Sequence, residues 1–80
     1  MHELHLINDL LSDLLKNAEA NKVKKITKVI IRLGEFTELN PEIVRHFLKD
    51  YSADTAAEGA ELVIEPSATR ELRLVSYEGD

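Results

Sequence analysis

The sequence predicts an α+β fold in which two helices pack on one face of a three-stranded mixed β-sheet, in the order α-β-α-β-β. In two segments apolar residues recur every three or four positions, as in amphipathic helices. In three others apolar and polar residues alternate and β-branched residues are frequent, as in strands. The chain has 80 residues, of which 44% are hydrophobic and 31% are charged. This composition is typical of one small globular domain, so we expect a single domain over residues 1–80.

The first helix is predicted over residues 2–20. Its apolar side chains lie three and four residues apart, as on the buried side of an amphipathic helix. They are Leu4, Ile7, Leu11, Leu14, Leu15 and Ala18. The pattern stops at Asn21, where we expect the helix to end.

The first strand is predicted from Ile26 to Leu33, because this segment is rich in β-branched residues and is followed by Gly34. The second helix is predicted to begin at Asn40 and Pro41, which are favoured at the N-cap and at the first helical position. We expect this helix to bury five apolar side chains, namely Ile43, Val44, Phe47, Leu48 and Tyr51.

Two more strands are predicted over residues 60–65 and 70–77. The first and second strands are joined through a helix, so we expect them to be parallel. The link between the second and third strands is short. These two strands are therefore expected to be antiparallel neighbours in the sheet.

The alternation in these strands also predicts local details. Leu62 and Ile64 should lie on one face of the second strand. The apolar alternation of the third strand slips after Leu74, which predicts a β-bulge. The last two residues, Gly79 and Asp80, are expected to fray.

Charge and hydropathy exclude several classes of function. The net charge of −5 disfavours a nucleic-acid-binding surface, which would need a basic face. The chain has no apolar run near the ~20 residues that a membrane-spanning helix requires. The N-terminal segment is acidic where a signal peptide would be basic. We therefore expect a cytoplasmic protein without membrane or nucleic-acid partners.

The chain contains no cysteine, which excludes disulfides, a thiol nucleophile and a cysteine-based zinc site. It also has no glycine-rich phosphate loop and no serine in a nucleophile turn. We predict no catalytic residues and no enzymatic activity.

The N-terminus carries the residues with the clearest metal chemistry. The Met1 amine and the His2 backbone nitrogen can close a five-membered chelate ring, and that nitrogen closes a six-membered ring with the His2 imidazole. Ni(II) and Cu(II) prefer such planar nitrogen ligation. The fourth position would be filled by Glu3, by a second imidazole or by water. Glu3 would bind through its backbone nitrogen or its carboxylate. The alternative is a polar, frayed helix start, since the helix dipole disfavours a cation there.

Other candidate ligands have structural alternatives. His5 follows His2 by three residues, so the two lie on the same face of the predicted helix. His5 either fills the fourth nickel position or is an exposed helical histidine. His46 is predicted to be a surface or boundary histidine. Three carboxylates are interpreted as a solvated loop and a helix-start charge, namely Glu35, Glu38 and Glu42.

Four segments together resemble the HypA/HybF family, the nickel-insertion chaperones of [NiFe] hydrogenase maturation. The resemblance begins with Met1, His2 and Glu3 and extends over most of the chain. The matching segments are residues 1–6, 26–35, 55–64 and 71–78.

The chain departs from the family pattern at one place. Family members carry a zinc domain with two Cys-x-x-Cys pairs between their second and last strands, whereas here this interval is only residues 66–70. We therefore expect a nickel-binding domain whose zinc domain is absent, with no zinc in this chain. A natural homologue and an engineered deletion would both give this pattern.

The resemblance implies a function. The family's nickel motif falls on Met1, His2 and Glu3, so the chain is expected to bind Ni(II) and deliver it for hydrogenase maturation. The implied partners are a HypB-type GTPase and the [NiFe] hydrogenase large subunit. The alternative is a zinc-less interaction module of the same fold, which binds the GTPase or forms a homodimer through an open sheet edge without carrying metal.

Overall fold

The computed structural model describes residues 4–36 and 39–80. Its elements are α1 (Leu4–Ala20), β1 (Ile26–Leu33), α2 (Pro41–Tyr51), β2 (Glu61–Pro66) and β3 (Leu72–Gly79). The predicted α+β class and the element order are confirmed. The last two strands lie one or two residues later in the chain than the alternation predicted.

The strand order in the sheet is β2-β1-β3, with β1 at the centre. β1 and β2 are parallel, as predicted. The prediction that the second and third strands are neighbours is wrong, because β3 pairs antiparallel with β1 instead. Leu33 at the end of β1 is paired with Pro66 of β2 on one side and with Leu72 of β3 on the other. The short link therefore crosses the end of the central strand.

We call residues 67–71 the crossover segment, and backbone hydrogen bonds hold it at both ends. The amide of Ser67 donates to the carbonyl of Leu33 at 3.0 Å, and the amide of Gly34 donates to the carbonyl of Glu71 at 2.7 Å. A Cβ atom on Gly34 would overlap the carbonyl oxygen of Thr69. The crossing is this close because residue 34 has no side chain.

Both helices cover one face of the sheet, and the core lies between the layers. The buried residues from the helices and β1 include Ile7, Leu14, Val44, Ile26, Val29 and Ile31. Leu62 and Ile64 both pack against this core, so they share one face of β2 as predicted. On the other face, the guanidinium of Arg32 lies 3.3 Å from the carboxylate of Glu65. Within the described part of the chain, no helix combines the length and apolarity needed to cross a membrane.

α2 begins as predicted but ends differently. The Asn40 side chain accepts a hydrogen bond from the amide of Ile43 at 2.9 Å, which caps the helix. The expectation that Tyr51 is buried is wrong, since 39% of its surface is exposed. Ser52, four residues after Leu48, occupies the buried position instead. Its hydroxyl donates to the carbonyl of Lys49 at 3.0 Å, so its burial leaves no unpaired hydroxyl.

The predicted bulge in β3 is confirmed. Ile30 pairs with Ser76 and Ile31 with Leu74, so Val75 is the extra residue. The expectation that the last residues fray is wrong. The amide of Asp80 donates to the carbonyl of Lys25 at 2.9 Å, which keeps the end of β3 beside the central strand.

Candidate functional site

The predicted nickel ligands Met1, His2 and Glu3 lie outside the described residues, which begin at the first residue of α1. His5 lies in the first turn of this helix, and it is exposed. An imidazole in this position is accessible to a metal ion in solvent. The structure thus makes His5 available next to the predicted motif, and its role as a ligand stays a prediction.

α1 is held against the core along its whole length. Five of its residues are buried, namely Ile7, Leu10, Leu11, Leu14 and Ala18. Leu4 and Leu6 of the first turn are partly buried against the same core. The helix therefore gives a fixed base to the residues that precede it.

The other end of α1 is closed by a Schellman motif. Lys22 adopts a left-handed conformation with φ of 61°. The amide of Val23 donates to the carbonyl of Ala18 at 2.8 Å, and the amide of Lys22 donates to the backbone carbonyl of Glu19 at 3.0 Å. These two bonds satisfy carbonyl groups that the helix end would otherwise leave unpaired.

Side chains also join this end of α1 to β3. The hydroxyl of Tyr77 donates to Oδ1 of Asn17 at 2.7 Å. The amide group of Asn21 donates to the same Oδ1 at 2.8 Å and to the Tyr77 hydroxyl at 3.1 Å. The C-terminal end of α1 is thereby fixed to the sheet, whereas its first turn is held by apolar contacts.

The electrostatics of the two helix starts differ. The first turn of α2 contains Glu42, which offsets the partial positive charge of the helix N-terminus. The first turn of α1 contains no acidic residue. The helix itself therefore disfavours a cation at this position, and a metal ion would need strong ligands of its own.

His46 lies on the exposed side of α2, as predicted. Its Nε2 atom is 3.4 Å from a carboxylate oxygen of Asp50, and both side chains are more than half exposed. Its ring also contacts Phe47 edge-on, with centroids 5.1 Å apart. We interpret the pair as an ordinary contact across one helical turn.

The acidic residues near the second helix do not gather into a site. Glu35 is exposed after β1, and Glu42 is exposed in the first turn of α2. Glu38 lies outside the described residues. Over residues 4–36 and 39–80, no three or more histidine and acidic side chains are arranged to hold a metal ion.

The crossover segment contains a polar cluster that was not predicted from the sequence. The carboxylate of Glu71 accepts hydrogen bonds from the hydroxyls of Ser67 at 2.5 Å and Thr69 at 2.6 Å. Arg73 donates a third bond at 3.1 Å. These bonds, led by that from Ser67, lower the pKa of Glu71 from 4.5 to about 2. The one signal for this cluster is the spacing of the serine, threonine and glutamate at every second residue.

A cleft of about 790 Å³ lies between the two helices and the segment that enters β2. Leu11, Leu14 and Leu48 form part of its apolar lining. At its rim, the guanidinium of Arg45 donates to the carbonyl of Leu62 at 2.7 Å. From α1, the cleft is lined by Leu11 and Leu14, which lie beyond the first turn of the helix.

Comparison with known proteins places residues 1–72 in a family described as hydrogenase/urease nickel incorporation metallochaperone HypA. A hydrogenase maturation factor HypA of Caldanaerobacter subterraneus subsp. tengcongensis is 44% identical over 63 residues, which cover 79% of this chain and 55% of that protein. The hydrogenase maturation factor HypA of Methanopyrus kandleri is 38% identical over 65 residues, which cover 81% of this chain and 46% of that protein. The chain thus spans about half the length of these relatives.

A solved structure has the same fold. The solution structure of the Ni metallochaperone HypA from Helicobacter pylori superposes with a TM-score of 0.71. The superposition covers 95% of this chain and 72% of that one, at 17% sequence identity. At this identity, the likeness supports the fold alone.

Proposed function

The chain belongs to the HypA family of nickel-incorporation metallochaperones, and we propose that it carries Ni(II) on Met1, His2 and Glu3. The observation that carries this proposal is the extent of the family match. It begins at residue 1 and therefore includes the tripeptide. Taken alone, the tripeptide would be weak support, because its residue types also suit a polar helix start.

The proposed ligands are nitrogen atoms close together in the chain. The Met1 amine, the His2 backbone nitrogen and the His2 imidazole form two fused chelate rings, and Glu3 supplies a backbone nitrogen or its carboxylate. Ni(II) favours such planar ligation. The amine and the backbone amide must both lose a proton, so nickel affinity should rise with pH.

The fold supports delivery because the contacts that fix α1 lie within the helix itself, after the proposed motif in the chain. α1 is fixed by its buried residues and by the Asn17, Asn21 and Tyr77 contacts at its far end. Ligands that precede its first turn can exchange a metal without breaking these contacts. The opposing helix dipole favours a modest affinity, which suits transfer.

We propose that nickel passes to the [NiFe] hydrogenase large subunit and that a HypB-type GTPase assists the transfer. Support comes from the hydrogenase maturation role of the relatives. Capture of this chain by the GTPase should be compared with and without Ni(II). Equal capture in both conditions, with an N-terminus that binds no nickel, would instead favour an interaction module without metal traffic.

Isothermal titration of Ni(II) into the untagged chain tests the binding site. We expect one site of modest affinity in the wild type, its loss in His2→Ala and its retention in His46→Ala. His46 is the matched control because it is an exposed histidine near a single carboxylate. Equal binding by wild type and His2→Ala would contradict the proposal, as would the absence of binding in the wild type.

A further inference from the structure

The first turn of α1 lies at the same end of the molecule as the crossover segment. Only residues 21–25 join α1 to β1. A link of this length spans at most about 18 Å, which is less than the roughly 25 Å length of the helix, so α1 and β1 run in opposite directions. β3 is also antiparallel to β1. α1 and β3 therefore run in the same direction, and the hydrogen bond from Tyr77 to Asn17 joins their far ends.

The rise of the helix and of the strand places the first turn more closely. Tyr77 and Leu72 are about 16 Å apart along β3, at about 3.3 Å per residue. The same distance back from Asn17 along α1, at about 1.5 Å per residue, reaches Leu6. Leu6 and Leu72 both pack against the same core. The crossover segment, which precedes Leu72, therefore extends past the first turn at the end where the chain enters α1.

Arg70 is the one cation of the crossover segment, and it is directed to the helix side of the sheet. Its guanidinium carbon lies 5.1 Å from the centroid of the Phe36 ring, and this ring packs against the core. The cation–π contact holds the exposed guanidinium in place. Glu71 instead bonds to Arg73 at 3.1 Å, and Arg73 lies on the opposite face of β3 from Leu72.

This placement brings the charge of Arg70 within range of the proposed nickel ligands. These ligands precede Leu4 by at most three residues, so the chain keeps them within about 11 Å of it. Their separation from Arg70 is thereby on the order of the Debye length, which is about 10 Å in 0.1 M salt. The guanidinium repels a second cation, and it attracts the Glu3 carboxylate and the deprotonated backbone nitrogens that would bind the metal.

We propose that Arg70 lowers the nickel affinity of the N-terminal motif. The effect rests on the function proposed above, and it places part of the control of nickel release on a residue outside the motif. Glu35 follows β1 and Glu42 lies in the first turn of α2, so both are near this end. They act in the opposite sense without removing the contribution of Arg70, because Coulomb energies add.

Isothermal titration of Ni(II) into the untagged chain at low salt tests this role. Arg70→Gln should bind nickel about two- to fourfold more tightly than the wild type, as expected for the removal of one charge at this distance. Arg70→Glu should bind more tightly still. Arg70→Lys should match the wild type, because it keeps the charge. The differences should shrink in about 0.5 M salt, which screens exposed charges.

Lys24→Gln is the matched control. Lys24 is exposed in the link that follows α1, so it lies at the other end of the roughly 25 Å helix. Its substitution removes the same charge and should leave the nickel affinity unchanged. The absorption spectrum of the Ni(II) complex should be the same in every variant, because Arg70 supplies no ligand. Circular dichroism confirms that each variant is folded.

Three results would overturn the role of Arg70 while leaving the proposed nickel function standing. They are equal affinities of wild type and Arg70→Gln, a gain in Arg70→Lys as large as that in Arg70→Gln, and an equal gain in Lys24→Gln. Absence of nickel binding in the wild type would instead overturn the proposed function and this role together.

Discussion

The crossover segment and the first turn of α1 are held in opposite ways. The crossover segment is fixed by specific contacts, because Gly34 leaves room for Thr69 and the carboxylate of Glu71 accepts three hydrogen bonds. The first turn of α1 is held by the partly buried Leu4 and Leu6, and its histidine is exposed.

From this difference we expect stability and the proposed nickel binding to reside in separate places. A substitution in or beneath the crossover segment, other than at Arg70, should change the free energy of unfolding and leave nickel binding intact. A substitution before or within the first turn of α1 should do the reverse.

Gly34→Ala should have the largest effect, because its Cβ atom would overlap the backbone of Thr69. Forcing the crossover segment away should cost about 1–3 kcal/mol of unfolding free energy. Gly59→Ala is the matched control, since φ of 77° strains an alanine while no atom lies within 4 Å of the added carbon. It should cost about 1 kcal/mol. Urea unfolding measures both, and an unchanged Gly34→Ala would contradict the account of the crossing.

Tyr77→Phe should have a smaller effect. It removes the hydroxyl that donates to Asn17 and accepts from Asn21, while the ring remains. We expect a loss of about 0.5–1 kcal/mol, as for a single partly exposed hydrogen bond. The nickel affinity should be unchanged at a temperature where the variant is folded. A large loss of nickel affinity would mean that the far end of α1 controls its first turn.

Glu71→Gln should have an effect that depends on pH. The pKa of Glu71 is lowered in the folded protein to about 2 from 4.5. The ionised carboxylate therefore stabilises the fold above its ordinary pKa, and this stabilisation is lost as the pH falls from 4.5 through about 2. The difference in Tm between wild type and Glu71→Gln should narrow over that range. A difference that stays constant would contradict the role of the charge.

His5→Ala should have the smallest effect on stability, within about 0.5 kcal/mol, because the side chain is exposed. Its effect on nickel separates the two interpretations of this residue. If His5 is the fourth ligand, the absorption spectrum of the Ni(II) complex shifts and the affinity falls. If it is only an exposed histidine, both are unchanged. We expect the affinity to fall by less than about tenfold, since the two chelate rings remain.

Local signals predicted most of the fold. Asn40 and Pro41 fixed the start of α2, and the broken alternation after Leu74 located the bulge. The strand order was missed because alternation assigns a strand's faces and says little about its neighbours. One signal was present: Val29, Ile30 and Ile31 form an unbroken apolar run, which is typical of a central strand.

The predictability of the candidate sites differed for a related reason. The nickel motif is contiguous, so its chemistry can be derived from Met1, His2 and Glu3 in sequence. The cluster around Glu71 depends on a crossing over Gly34 that links distant parts of the chain.

The absorption spectrum of the Ni(II) complex, recorded for the chain with a free Met1 amine and for the same chain acetylated at that amine, shows whether this amine is a nickel ligand. Planar nitrogen ligation gives a spectrum distinct from that of octahedral nickel. We predict the planar spectrum for the free amine and its loss after acetylation, with the same Tm for both metal-free forms. A planar spectrum that survives acetylation would place the nickel elsewhere and contradict the account.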